Sequence, residues 1–309
     1  MKTVDRPKES TASGTPLGPI QEGQPMKTYK AEPFGLGKYL LGESPFYDPR
    51  TKCRSFVDII AGKLYIIEAG GLMKQADFGQ KIGAAVPSEK AGSYLVAATD
   101  GLYVYDGKEI SLNRSLKDIY ETYHRSNDAK ADPAGRLWFG SMAEGEGIEP
   151  SGDLYRNEHG RVALMQPDTI IANGMAWSSD RTKFYFADSE YHAVFVYDYD
   201  FETGNIANRT ELIHIEDGVP DGMCIDSEDN LWIAVWGGRR IEKRSSKTGE
   251  LLALVEVPAE HVSSCCFFGD NLDELFITTS GNELSGDYDG CLFTCKVDEK
   301  GLAPDYAMI

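Results

Sequence analysis

Residues 221–238 read DGMCIDSEDNLWIAVWGG, and residues 127–142 read NDAKADPAGRLWFGSM. Each is a short apolar strand, a turn built from Asp, Gly, Asn or Pro, and a second apolar strand centred on tryptophan. The pattern recurs as NGMAWSSDRTKFYFADSE at 173–190 and SSCCFFGDNLDELFITTSG at 263–281, with weaker copies ESPFYDPRTKCRSFVDI at 43–59 and GSYLVAATDGLYVYD at 92–106. Self-similarity at a period of about 40–50 residues marks the blades of a propeller. Aligning the second-strand centres makes Phe56, Leu95, Trp138, Tyr185, Trp232 and Phe276 equivalent, about 39 to 47 residues apart, the spacing of four-stranded blades.

Six copies predict an all-β fold, a six-bladed β-propeller with a central channel, as a single domain over residues 26–309. A blade cannot bury both of its faces alone, so the ring must close on itself; the strand near Tyr39 is expected to pair with the last blade. The aromatic centres are read as packing between blades. Residues 1–25, rich in Pro, Gly, Ser, Thr and charge, are expected to form a disordered tail. SLNRSLKDIYETYH at 111–124 shows a few helical spacings without a clear stop and is left ambiguous.

Composition narrows the function. The chain has 309 residues, 41% of them hydrophobic, enough for a large core. With 49 acidic against 31 basic side chains its net charge is −18, a field that repels nucleic acid and anionic membranes. No apolar run approaches the ~20 residues that cross a bilayer, and the first residues lack the apolar core of a signal peptide. A cytoplasmic protein is expected, with its six cysteines reduced.

The innermost strand of each blade lines the channel, so equivalent positions converge there. Glu43, Asn127, Asn173 and Asp221 each lie five residues before the residue that opens their turn, namely Asp48, Asp132, Ser178 and Asp226. They therefore share one level around the axis. Packing alone would put small or apolar residues there. Converging carboxylates repel and lose hydration unless a cation or a proton compensates. Ligation by Glu, Asn and Asp without His or Cys favours a hard ion such as Ca²⁺, Mg²⁺ or Mn²⁺; a hydrogen-bonded polar plug with water is the alternative. The histidines at 124, 159, 192, 214 and 261 show no HExxH or paired metal spacing and receive no role. GxSxG and GxGxxG motifs are absent, against a serine hydrolase and against nucleotide cofactors.

The segments LGESPFYD (41–48), RSNDAKADPAGRLWFGSM (125–142), ANGMAWSSD (172–180), VPDGMCIDSEDNLWIAVWGG (219–238) and SSCCFFGDNLDELFITTSG (263–281) resemble, in order and spacing, the signatures of the SMP-30/gluconolactonase/luciferin-regenerating-enzyme family, which includes regucalcin. The resemblance runs from about Gly42 to Val297. It implies a metal-dependent lactonase acting on a small sugar lactone. Glu43, Asn173 and Asp221 would hold one divalent cation, Ca²⁺ first, with Mg²⁺, Mn²⁺ or Zn²⁺ as alternatives, and Asp221 would also be the catalytic base. Arg125 and Asn127 would contact substrate, with Glu144 and Glu146 in the region that holds sugar hydroxyls in relatives. Two departures bear on substrate: the usual NDG is NDA, with Ala129, and the usual GEGP is GESP, with Ser44. A non-catalytic metal-binding regulator on the same fold is the second reading. Oligomeric state and the particular lactone are open.

Overall fold

A computed structural model describes residues 26–309 apart from Leu36 and Glu146, so the expected tail at 1–25 and the expected role of Glu146 lie outside the described residues. The described residues form six sheets, each built on four antiparallel strands, the blades of a six-bladed β-propeller, with no helix among them. Residues 110–115 of the ambiguous stretch form the outermost strand of blade 2, and turns follow. No helix is long and apolar enough to cross a membrane.

The first strands of the blades are Gly42–Asp48, Ile82–Pro87, His124–Ala131, Ala172–Trp177, Val219–Ile225 and His261–Phe268, and each packs against the first strands of its neighbours, so these six line the axis. Closure differs from expectation. Glu32–Phe34 supplies the outermost strand of blade 6, antiparallel to Leu292–Lys296, and Lys27–Lys30 adds a parallel fifth strand to blade 5 beside Leu251–Glu256. Tyr39 lies in no strand: its backbone bonds Gly281 and Gly290 of the last blade, and its ring packs against Phe56 and Tyr65. Residues ahead of the first blade thus add strands to blades 5 and 6, tying the start of blade 1 to the last blade across the gap between blades 6 and 1.

The repeat owes its local shape to the residue that opens each turn. In blade 3, Asp132 is fully buried: its Oδ1 accepts the backbone N–H groups of Ala134 and Arg136, and its Oδ2 accepts Arg136 Nε at 2.7 Å, Trp138 Nε1 at 3.0 Å and the Tyr199 hydroxyl at 2.8 Å. Asp226 binds Trp232 Nε1 in the same way at 3.0 Å. An aspartate followed six residues later by tryptophan is therefore one unit, a turn whose carboxylate pins the central aromatic of the next strand. Those indoles are among the largest fully buried side chains.

The six aligned aromatic centres do lie on second strands, with one slip. Trp138, Tyr185, Trp232 and Phe276 face Lys130, Ala176, Cys224 and Cys266, but the residue facing Phe46 in blade 1 is Ser55, not Phe56. Both faces of a blade are buried, so apolar alternation leaves a shift of one residue undetected. The described cysteines are all unbridged, and Cys224 and Cys265 touch at 3.6 Å between sulfurs.

Candidate metal and substrate site

All six inner strands carry a one-residue register shift at the same place: between Glu43 and Phe46, Ile82 and Ala84, Ser126 and Ala129, Ala172 and Met175, Pro220 and Met223, and Val262 and Ser264. A bulge sets two residues against one and re-aims a side chain. Here it sits at the expected channel level, so the ring is Glu43, Gly83, Asn127, Asn173, Asp221 and Ser263. Gly83 contributes no side chain because a Cβ there would lie 2.0 Å from the carbonyl oxygen of Asn127. At the bulge of blade 1, Ser44 has φ +49°, a left-handed conformation that suits the glycine common at this point, and its hydroxyl accepts the Ala85 N–H at 3.3 Å.

Aspartates on the second strands hold the approach to two ring members. Asp58 accepts the N–H groups of Leu40 and Leu41, and Asp188 those of Ile170 and Ile171, fixing the chain just before Glu43 and Asn173. Asn173 is oriented from behind: its Nδ2 donates to Ser189 Oγ at 2.8 Å, and that hydroxyl donates to the Pro220 carbonyl at 2.7 Å. Asn127 donates from Nδ2 to Asn173 Oδ1 at 2.9 Å and accepts Arg125 Nη1 on its Oδ1 at 2.8 Å. Asn127 therefore acts through Asn173 and Arg125 in this geometry, not as a free oxygen donor.

Glu43, Asn127, Asn173, Asp221 and Arg125 are each only 4–7% exposed. Asp128, which the sequence reading passed over, is 7% exposed and belongs to this group electrostatically. Burial first, then the charge of Asp128, push the Glu43 carboxyl up to about 8. Burial, then Glu43 and Asp128, push Asp221 well above the usual carboxylate range, and burial raises Asp128. With these carboxyls raised together, the metal-free ring holds a proton at neutral pH, which relieves the repulsion between Glu43 and Asp221. A divalent cation would replace that proton. Among the described residues no three His, Cys, Asp or Glu side chains gather as a metal-ligand cluster; the ring instead offers two acids and the amide of Asn173, a donor set that fits a hard, oxygen-seeking ion completed by water or substrate.

The ring is the floor of a cavity of about 610 Å³. Glu144 lies in its wall and bridges two cations, accepting Lys81 Nζ at 2.5 Å and Arg125 Nε at 3.0 Å. Burial alone would raise the Glu144 carboxyl, but Lys81 and Arg125 outweigh it and hold it below its ordinary value. The structure thus brings together Glu43, Asn173, Asp221, Arg125, Asn127 and Glu144 in one cavity. Lys81 and His261 line it too, unanticipated. Counting five residues back from Ser88 and Phe268 would have found Gly83 and Ser263, and two further back Lys81 and His261.

The family description SMP-30/Gluconolactonase/LRE-like region matches residues 41–281, spanning all the ring positions. The chain belongs to the SMP-30/gluconolactonase/LRE-like family. Regucalcin of Gallus gallus is 32% identical over 275 residues, 85% of this chain and 91% of that protein. YvrE of Bacillus subtilis, provisionally named a sugar lactone lactonase, is 29% identical over 86% of this chain and 94% of its own length. A solved luciferin-regenerating enzyme superposes with a TM-score of 0.83 at 32% identity, covering 89% of this chain and 97% of that one. The family carries with it a lactonase-like function.

The raised carboxyls give a testable stability signature. Glu43, Asp221 and Asp128 bind more protons folded than unfolded, so the metal-free chain loses stability as pH rises from the ordinary carboxyl range toward 8. Saturating Ca²⁺ is therefore expected to raise the melting temperature more at pH 8 than at pH 5. An equal shift at both pH values would show that the ion is not binding to these acids.

Proposed function

We propose that the protein is a metal-dependent lactonase that opens a small sugar lactone, holding one divalent cation, Ca²⁺ in first place, on Glu43, Asn173 and Asp221. The observation that carries this reading is the pair of buried acids, Glu43 and Asp221, set beside an oriented carboxamide at the floor of an open cavity. Such a pair is unfavourable as scaffold and useful only with a cation in place.

In lactone hydrolysis water adds to the carbonyl carbon, the ring C–O bond breaks, and a proton passes from the water to the departing ring oxygen. A divalent ion held on Glu43, Asn173 and Asp221 would supply Lewis acidity, polarising the carbonyl and offsetting the oxyanion charge. The two acids balance the charge of the ion, while the neutral Asn173 leaves it electron-poor. Asp221 is assigned as acceptor of the water proton. Arg125, held by Glu144 and Asn127, would orient substrate oxygens through charge-assisted hydrogen bonds. Glu144, kept ionised by Lys81 and Arg125, would accept from substrate hydroxyls.

Acid release from a panel of five- and six-membered lactones by chelator-stripped protein, with Ca²⁺, Mg²⁺, Mn²⁺ or Zn²⁺ added back, tests the proposal. Hydrolysis that needs the ion and falls at least about tenfold in Arg125→Ala is expected, the loss of a charged substrate contact. Stoichiometric ion binding with no hydrolysis of any lactone would favour a metal-binding regulator instead.

A further inference from the structure

Two residues before the ring positions, at the starts of the inner strands or one residue ahead of them, stand Leu41, Lys81, Arg125, Ile171, Val219 and His261, and all six line the cavity. Residues i and i+2 of a strand share a face about 7 Å apart. These side chains therefore form a second tier above the floor. In a ring of six blades, members three blades apart face one another: Arg125 faces His261, Lys81 faces Val219, and Leu41 faces Ile171. Lys81 is engaged by Glu144. Arg125 on blade 3 and His261 on blade 6 are the facing pair in which both members are polar; Arg125 and Lys81 both reach Glu144, and the remaining members of the tier, Leu41, Ile171 and Val219, are apolar.

His261 is built in an unusual way for a residue with no partner. Its ring lies on the indole of Trp236, another lining residue, with centroids 4.1 Å apart and planes at 17°. Its Nδ1 is buried without a hydrogen-bond partner among the described residues. With Nδ1 sealed off, Nε2 is the ring nitrogen left to meet a ligand, and a neutral ring protonated there can donate to it. Burial lowers the pKa of the ring and Arg239 adds to the effect, against the opposing pull of Glu260 and Asp289. Lys81, Arg125, Glu144, Glu283, Glu43 and Asp221 are the other charged groups around the same cavity. A neutral donor suits a wall above a cation, where an imidazolium would be repelled. A sealed nitrogen on a ring fixed by stacking is a cost that packing alone does not explain.

We propose that His261 is a substrate-contacting hydrogen-bond donor acting from blade 6 across the cavity from Arg125, so that the site selects lactones bearing oxygen substituents at both ends of the line between these two residues. The inference rests on the lactonase reading and deepens it: hydroxylated lactones are held along the Arg125–His261 axis, with their C–H faces toward Ile171 and Val219.

The test compares kcat/KM for glucono-δ-lactone and for δ-valerolactone, which has the ring without the hydroxyls, in wild type, His261→Phe and His261→Asn, each loaded with the ion that supports activity. Phenylalanine keeps a flat ring against Trp236 and removes the donor; asparagine keeps a donor. His261→Phe is expected to lose about tenfold on the hydroxylated lactone and less than about twofold on δ-valerolactone, about the value of one hydrogen bond, with His261→Asn recovering part of the loss. The same discrimination ratio in wild type and His261→Phe, whether activity is kept on both substrates or lost equally on both, overturns the proposal. Wild type inactive on both lactones would instead overturn the lactonase reading, and the role of His261 with it.

Discussion

Asp221→Ala is expected to lower kcat on a hydrolysed lactone by about 10²–10⁴-fold, the usual loss when a positioned proton acceptor is removed, and to weaken ion binding as well. Two functions are lost in one side chain, so the loss should exceed that of Arg125→Ala. Fold and function separate cleanly at this position. In the metal-free chain Asp221 is an acid forced against Glu43 and Asp128, and removing it relieves repulsion. Metal-free Asp221→Asn, which keeps the shape, should therefore melt no lower than metal-free wild type at pH 8. Steady-state kinetics on ion-loaded protein and melting of stripped protein check the two halves, and a variant with wild-type kcat would remove Asp221 from the chemistry.

The largest effect on stability is expected far from the cavity, at Asp132→Ala. That change strips the partner from Arg136, 3% exposed, and at the same time leaves the Trp138 indole N–H and the Tyr199 hydroxyl short of an acceptor. Breaking a buried ion pair by removing one member costs about 3–5 kcal/mol. An exposed control, Asp198→Ala, removes a surface pair with Lys183 and an exposed hydrogen bond from Asn208 and should cost about 1 kcal/mol or less. Denaturant unfolding of both variants checks the difference; equal midpoints would mean that the turn aspartate does not anchor its blade.

The pattern that was legible from residues alone was the one that repeats. A turn-opening polar residue followed by an apolar second strand recurs in most blades, reinforced in blades 3 and 5 by an aspartate that bonds a tryptophan six residues on, so the blades could be counted and the channel level found from Asp48, Asp132, Ser178 and Asp226. Counting back from those turns brought Glu43, Asn127, Asn173 and Asp221 to one level, and the bulges place them there. What did not repeat was missed. Blade 2 has glycine at the ring position, and blade 6 opens its turn after a phenylalanine, so Gly83 and Ser263 carried no polar signal. Asp128 occupies the second residue of its bulge, where the other blades have Ser44, Ala84, Gly174, Gly222 and Ser264, and a reading of equivalent positions does not anticipate a third acid there. His261 lacked any metal-spacing motif; its setting comes from Trp236, on a different strand, and pairings between strands are not written in local sequence. The closing strand at Glu32–Phe34 was overlooked for a similar reason, since three half-exposed residues show no alternation long enough to read.

A calorimetric titration of Ca²⁺ into the metal-stripped chain at pH 7.5, run in two buffers of different ionisation enthalpy, tests the ion site most directly. One ion per chain is predicted, with net proton release, because the raised carboxyls of Glu43 and Asp221 must ionise to hold it, and with binding lost in Glu43→Ala. Stoichiometric binding without proton release, or binding that survives Glu43→Ala, would contradict a cation held on these acids.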